Sequence, residues 1–220
     1  MSPRTEQIIS VIGTQFLQSI ADLLGRLSAR PYHPSDRVSS NYYEGGYSAS
    51  IILLVAATLE SLVQRDRYFY REANPGSCPA SAVSAYTKSV LRYRRHAQVA
   101  EVFEVRNAIA HNHIWEIDFS HPSKGGRRHK GSKAVPGTHR LQVLPPPSIR
   151  IPRTNRLKLN LVPVRLDRTD VEKVMSAAVH LLEHLAKRGT RAIPTSGDVV
   201  MFRDKRVRFD ALMAESKNVP

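Results

Sequence analysis

The stretch Ser48 to Glu72 constrains this chain most. Its first half, Ile51-Ile52-Leu53-Leu54-Val55-Ala56-Ala57, is apolar around the whole helical circumference and leaves no face for water. Such a helix persists only where neighbours cover it on every side, so it predicts the central member of a helical bundle. The greasy run Ala49 to Leu59 has about half the roughly 20 residues that a bilayer span needs, and it ends at Glu60. It reads as a core helix, with no membrane partner.

The remaining periodicity supplies its neighbours. Ile8, Ile9, Ile12, Phe16, Ile20, Leu23, Leu24 and Leu27 recur at helical spacing and predict a first helix from Thr5 to Leu27, closed by Pro31 and Pro34. A Tyr- and Gly-bearing connection, Asn41 to Tyr47, leads into the buried helix. Asn74-Pro75-Gly76 ends that helix, and Pro79 suits the first turn of a third one running through the Tyr93 region. A fourth covers His96 to His111. A final helix starts at Thr169-Asp170-Val171-Glu172, which has the capping-box form, and ends near Gly189.

Between the last two helices the texture changes. Trp115-Glu116-Ile117-Asp118-Phe119 and Leu157-Lys158-Leu159-Asn160-Leu161 alternate as strands do, among Gly and Pro clusters, and Pro145-Pro146-Pro147 cannot be helical. The expected fold is therefore all-α: one domain over residues 1–220, built as a bundle of four to five helices. A basic, partly β insertion at 114–168 precedes the last helix. A mixed-charge tail at 190–220, with a strand-like patch from Val199 to Phe202, is expected to dock loosely.

Charge then narrows the partner. Lys and Arg total 33 against 19 Asp and Glu in 220 residues, a net charge of +14, which favours a polyanion. Between Phe119 and Leu166 there is no acidic residue. Lys124, Arg127, Arg128, Lys130 and Lys133 cluster in or beside the Gly-rich portion Lys124 to Gly131, which suits a phosphate backbone tracked without a preformed groove. Charge asymmetry of this kind marks an interaction arm more often than a solvated loop. The single cysteine, Cys78, excludes an intramolecular disulfide and a multi-thiolate zinc site. With Met1 to Glu6 lacking the pattern of a secretory signal, the expected compartment is the cytosol.

The chemistry-bearing residues converge on the fourth helix. With Val99 set at zero on a wheel of about 100° per residue, Val102, Phe103, Ile109 and Ala110 fall within about 80°, and Arg106 lands about 20° away, inside the apolar stripe. A guanidinium there must find an anion: a buried carboxylate, for which Glu60 is the ready partner, or an incoming phosphate. Asn107 and His111, four apart, share the adjoining flank with Glu104. An arginine, an amide and an imidazole in one corner suit phosphodiester cleavage, but by residue type and spacing alone a structural ion pair with a histidine capping the helix end is the commoner arrangement.

Arg106-Asn107-Ala108-Ile109-Ala110-His111 resembles the Arg-x4–6-His signature of the higher-eukaryote and prokaryote nucleotide-binding (HEPN) superfamily, including the asparagine after the arginine. The resemblance covers residues 1–115 and 169–188, and the buried helix from Ile51 to Glu60 is similar to one in bacterial nuclease-like branches. It implies a metal-independent endoribonuclease without cofactors, acting in bacterial defence or toxin–antitoxin growth control. It further implies a homodimer whose two motifs face each other across one active site, with an antitoxin or another regulatory protein as partner. On matching positions, His111 transfers the proton, Arg106 stabilises the phosphate and Asn107 orients, with Glu60 and Glu104 in support. The alternative is a catalytically silent RNA- or nucleotide-binding module, or a scaffold in a defence complex.

Other motifs weigh less. His180-Leu181-Leu182-Glu183-His184 has the His-x-x-Glu-His pattern of inverted zinc proteases, but Val171, Val174, Met175, Ala178, Leu182 and Leu185 form the buried stripe and put both histidines opposite. His111-x-His113 suits neutral packing better than a metal. Tyr42, Tyr43 and Tyr47 beside Gly45-Gly46 suit base stacking, or the covering of a helix end. No Gly-Lys-Ser/Thr phosphate loop and no Gly-x-Gly-x-x-Gly is present.

Overall fold

The computed structural model describes residues 12–32, 41–111, 153–188 and 198–217, together with the backbone of 115–120 and 128–134. The fold is all-α with a small β insertion before the last bundle helix. Four helices carry the core: α1 (Phe16–Ser28), α2 (Tyr42–Ala73), α4 (His96–His111) and α5 (Arg168–Lys187), with the short α3 (Val83–Ser89) between α2 and α4. Helix α2 packs against all four of the others, which is why it tolerates apolar side chains on every face. By length and composition alone it would also cross a membrane, and half of that window is buried inside the fold.

Two approaches set the α1–α2 packing. Ile20, Ala21, Leu24 and Leu27 meet Ile51, Ile52, Val55 and Leu59 in one core. In the 3-10 turn ahead of α1 (Ile12–Gln15), the Gly13 N–H donates to Ser61 Oγ at 3.0 Å, and its carbonyl accepts from the Thr58 hydroxyl at 3.2 Å. A Cβ at residue 13 would lie 2.8 Å from Ser61 Cβ, so only glycine permits this contact.

Several boundaries differ from the sequence reading. Helix α2 begins at Tyr42, so the expected connection from Asn41 to Tyr47 is helical; the Asn41 side chain caps it by accepting from Tyr43 N at 3.1 Å. The third helix is confined to seven residues. The cap of α5 is Asp167 paired with Asp170, two residues ahead of the expected Thr169 box. Residues 1–11, which include the first seven residues of the predicted first helix, lie outside the described residues.

The insertion holds a hairpin of β1 (Trp115–Ser120) and β2 (Arg128–Ala134), antiparallel with a register shift between Asp118 and Phe119. Strand β1 falls where alternation predicts it, and β2 overlaps the Gly-rich basic stretch from Lys124 to Gly131. Leu157 to Leu161 is not a strand: Lys158 has φ +56°, and one bridge joins Arg153 to Asn160. Leu159 and Leu161 are buried because the loop is pinned, with Leu159 N donating to Thr154 Oγ1 at 3.0 Å. Pro145 to Pro147 lie outside the described residues.

The tail is a correction over residues 198–217. Strands β3 (Val199–Phe202) and β4 (Lys205–Arg208) form a ribbon packed on α1, followed by helix α6 (Leu212–Lys217). Val200, Phe202, Phe209 and Leu212 are buried in the main core, so this segment is part of the domain and not a loosely docked appendage. The Gln18 side chain on α1 both accepts from Met201 N (2.9 Å) and donates to Met201 O (2.8 Å), standing in for a strand on the ribbon's edge.

Candidate functional site

Helix α4 is buried over more of its circumference than the predicted stripe allows. Val99, Glu101, Val102, Phe103, Val105 and Ala108 are all buried, because α2, α3, α5 and the turn ahead of α5 press on it from different directions. Ile109 and Ala110, assigned to the core from the wheel, are only half-buried. What remains open is a narrow line: Glu104, Asn107 and His111 are exposed. These positions recur at three and four residues and stack on one face.

Arg106 sits at the border of the two regions. Its guanidinium donates to Glu60 Oε2 at 3.3 Å, with 28% of the arginine and 46% of the glutamate side chain exposed. It also lies 5.2 Å from the centre of the Phe103 ring. The anion demanded by an inward arginine is therefore Glu60 of α2, and the pair opens to solvent. Asn107 is one residue and about 100° further round, whereas His111 is five residues on, about 140° from Arg106. Within one chain, the amide and imidazole share a face and the guanidinium faces away from it.

Glu104 is the acidic member of that line. Partial burial of its carboxyl, and secondarily the Glu101 charge, push its pKa up. Glu101 is a site that sequence reasoning missed. It is buried, and its two carboxylate oxygens accept from the backbone N–H groups of Arg156 and Leu157, both at 2.7 Å. The returning end of the basic insertion is thus fastened to the same helix that carries Arg106 and His111. Asp170 does similar work one layer away, accepting from Asn160 N at 3.1 Å and Asn160 Nδ2 at 2.7 Å. Its burial pushes the carboxyl pKa up against those bonds. Nothing in the local pattern of either acid signals a loop-anchoring role, since the partners, the backbone of Arg156 and Leu157 for Glu101 and Asn160 for Asp170, lie at a distance in sequence.

A second missed cluster joins the ends of α1, α2 and α5. Arg168 donates through Nε to Glu44 Oε1 (3.0 Å) and through Nη2 to Glu44 Oε2 (2.8 Å), and also reaches the carbonyls of Leu27 and Arg30, each at 3.2 Å. Bidentate pairing and two carbonyl acceptors satisfy a guanidinium that is largely shielded. Tyr32 covers it at 5.0 Å.

The remaining predicted residues divide as follows. Arg128, Lys130 and Lys133 lie on β2, while Lys124, Arg127 and His113 lie outside the described residues. His180 approaches Glu183 at 3.7 Å, and His184 contacts the Leu91 carbonyl at 3.1 Å and the Tyr93 ring at 5.0 Å, so the two imidazoles serve separate neighbours. Among the described residues no group of three or more His, Cys, Asp or Glu side chains is arranged to hold a metal. Cys78 is exposed. Two cavities of about 460 Å³ flank α5, and neither is lined by Arg106, Asn107 or His111. The candidate site is an open helix face. The chain matches no protein-family model, no curated protein and no solved structure.

Proposed function

We propose that this chain is a metal-independent endoribonuclease whose site is assembled from α4. The observation that carries this reading is the placement of Arg106 on the helix that also exposes Asn107 and His111: it is held by Glu60 at 3.3 Å yet partly open to solvent. The His111 imidazole takes the proton of an RNA 2′-hydroxyl, whose oxygen attacks the adjacent phosphorus. Arg106 offsets the charge that builds on the non-bridging oxygens, and the 5′-oxygen leaves with a proton, giving a 2′,3′-cyclic phosphate and a 5′-hydroxyl. Asn107 orients the imidazole or the phosphate.

The separation of about 140° between Arg106 and His111 supports a homodimer. One helix does not bring both groups to one phosphate, and a second copy laid across it supplies the missing member, as a two-fold interface allows. The basic residues of β2 then hold the strand by counterion release. Control of growth or of phage infection, with an antitoxin or other regulatory protein, is the role that suits such an activity in the cytosol.

The Arg106–Glu60 ion pair favours a second reading, an RNA-binding module without cleavage, in which the arginine is structural. Purified protein with labelled RNA in EDTA separates the two. Cleavage lost in both Arg106→Ala and His111→Ala, with folding retained, supports the nuclease; binding without cleavage by the wild type supports the module.

A further inference from the structure

The start of α2 carries a feature that the α4 site does not use. Tyr42 is 88% exposed, Tyr43 47% and Tyr32 43%, three open aromatic side chains around the start of this helix. An aromatic ring so open covers no helix end, so the packing role that first-turn tyrosines usually play is absent for Tyr42. The rings are nonetheless ordered against one another. Tyr42 meets Tyr43 edge-on at 5.6 Å, Tyr43 lies nearly parallel to Tyr47 at 6.4 Å, and the exposed Arg30 guanidinium stacks on Tyr43 at 3.8 Å.

The stack stands on a rigid floor. Arg168 is clamped to Glu44 of the same helix turn and donates to the Arg30 carbonyl, which fixes the backbone that carries Arg30. Beside it lies a cavity of about 180 Å³ lined by Leu27, Arg30, Pro31, Asn41, Tyr43 and Glu44. Exposed rings and a planar cation, held in place before any ligand arrives, offer π faces at little ordering cost.

We propose that Arg30, Tyr42 and Tyr43 form a stacking platform for the bases of single-stranded RNA. Base–aromatic stacking is tolerant of sequence because every base has a π face, and arginine adds a cation–π contribution. Charge complementarity favours the occupant: the exposed Arg30 guanidinium stacked on Tyr43 adds a local positive charge to a chain of net charge +14, which suits a polyanion that carries planar bases. The proposal shares with the nuclease reading only the choice of RNA as partner and requires no cleavage.

The test is fluorescence anisotropy of a labelled 12-nucleotide RNA binding the full chain in the His111→Ala background, beside an abasic strand of equal length. Tyr42→Ala and Tyr42→Leu are expected to lower affinity about tenfold for the RNA and to leave abasic binding unchanged, while Tyr42→Phe binds as the parent does. Leucine preserves apolar area without a π face, and a residue this exposed is replaced without loss of folding. Arg30→Ala, with a melting temperature within a few degrees of the parent, shows a similar loss. Equal affinity of the Tyr42 variants and the parent overturns the platform, as does equal affinity of the parent for RNA and abasic strand, absence of RNA binding, or a Tyr42 effect on oligomeric state alone. Tyrosine-dependent binding by a wild type that never cleaves RNA leaves the platform standing and removes the nuclease; cleavage with no tyrosine dependence does the reverse.

Discussion

The Arg106 guanidinium on α4 rests 3.3 Å from the Glu60 carboxylate on α2, with about half of the glutamate open to water. The pair therefore holds the arginine's direction more than it stabilises the fold, because exposed ion pairs contribute about 0–1 kcal/mol. Glu60→Gln keeps a hydrogen-bond acceptor and removes the charge. It is expected to shift the melting temperature by no more than a few degrees while changing the turnover of RNA cleavage several-fold. Thermal melts alongside cleavage assays check both halves, and a large melting shift with unchanged cleavage contradicts the positioning role. Arg106→Lys is expected to cleave as poorly as Arg106→Ala, since a point charge does not reproduce the planar fork.

Glu104 gives the exposed line of α4 a pH signature. Partial burial and then the Glu101 charge raise its folded pKa above the ordinary 4.5, so the protonated form is favoured in the folded state. That contribution to stability is present below the unfolded value and is lost as pH rises through the folded pKa. Glu104→Gln removes this dependence. Denaturation midpoints measured from pH 4 upward are expected to fall more steeply in the wild type than in the variant, with the variant at least as stable at neutral pH. Parallel profiles sink the assignment.

The ribbon and α6 are expected to behave as core. Phe209 is 2% exposed, and truncating it to alanine deletes a fully buried ring, costing about 3–5 kcal/mol. Urea denaturation reads this directly, and a loss under about 1 kcal/mol means that the segment is a detachable tail.

Gly13 is expected to accept no side chain. A Cβ there meets Ser61 Cβ at 2.8 Å and the Thr58 carbonyl at 2.9 Å, so Gly13→Ala pushes the turn away from α2 and costs about 1–3 kcal/mol, read in the same denaturation assay. A neutral or stabilising result shows that the turn shifts freely.

Periodicity made the four main helices legible because a surface that faces a core repeats with the helix, as Ile20, Leu24 and Leu27 do on α1 and Val171, Val174 and Met175 do on α5. The same signal placed β1 and β3. It also marked Arg106 as an arginine needing an anion and named Glu60 as the carboxylate, which the fold brings to it. Composition marked the basic insertion.

Side chains whose partners lie far along the chain were decided by tertiary structure alone. Glu101 holds the backbone of Arg156 and Leu157, and Glu44 holds Arg168 from 124 residues away. Phe202 and Phe209 enter the core, although the residues between them are mostly charged and the segment reads as a tail. Alternation at Leu157 to Leu161 looked like a strand because burial of every second residue comes equally from a pinned loop. A linear pattern reports which residues leave water; it carries no record of which distant backbone groups need a partner, because that demand arises only once the helices have packed.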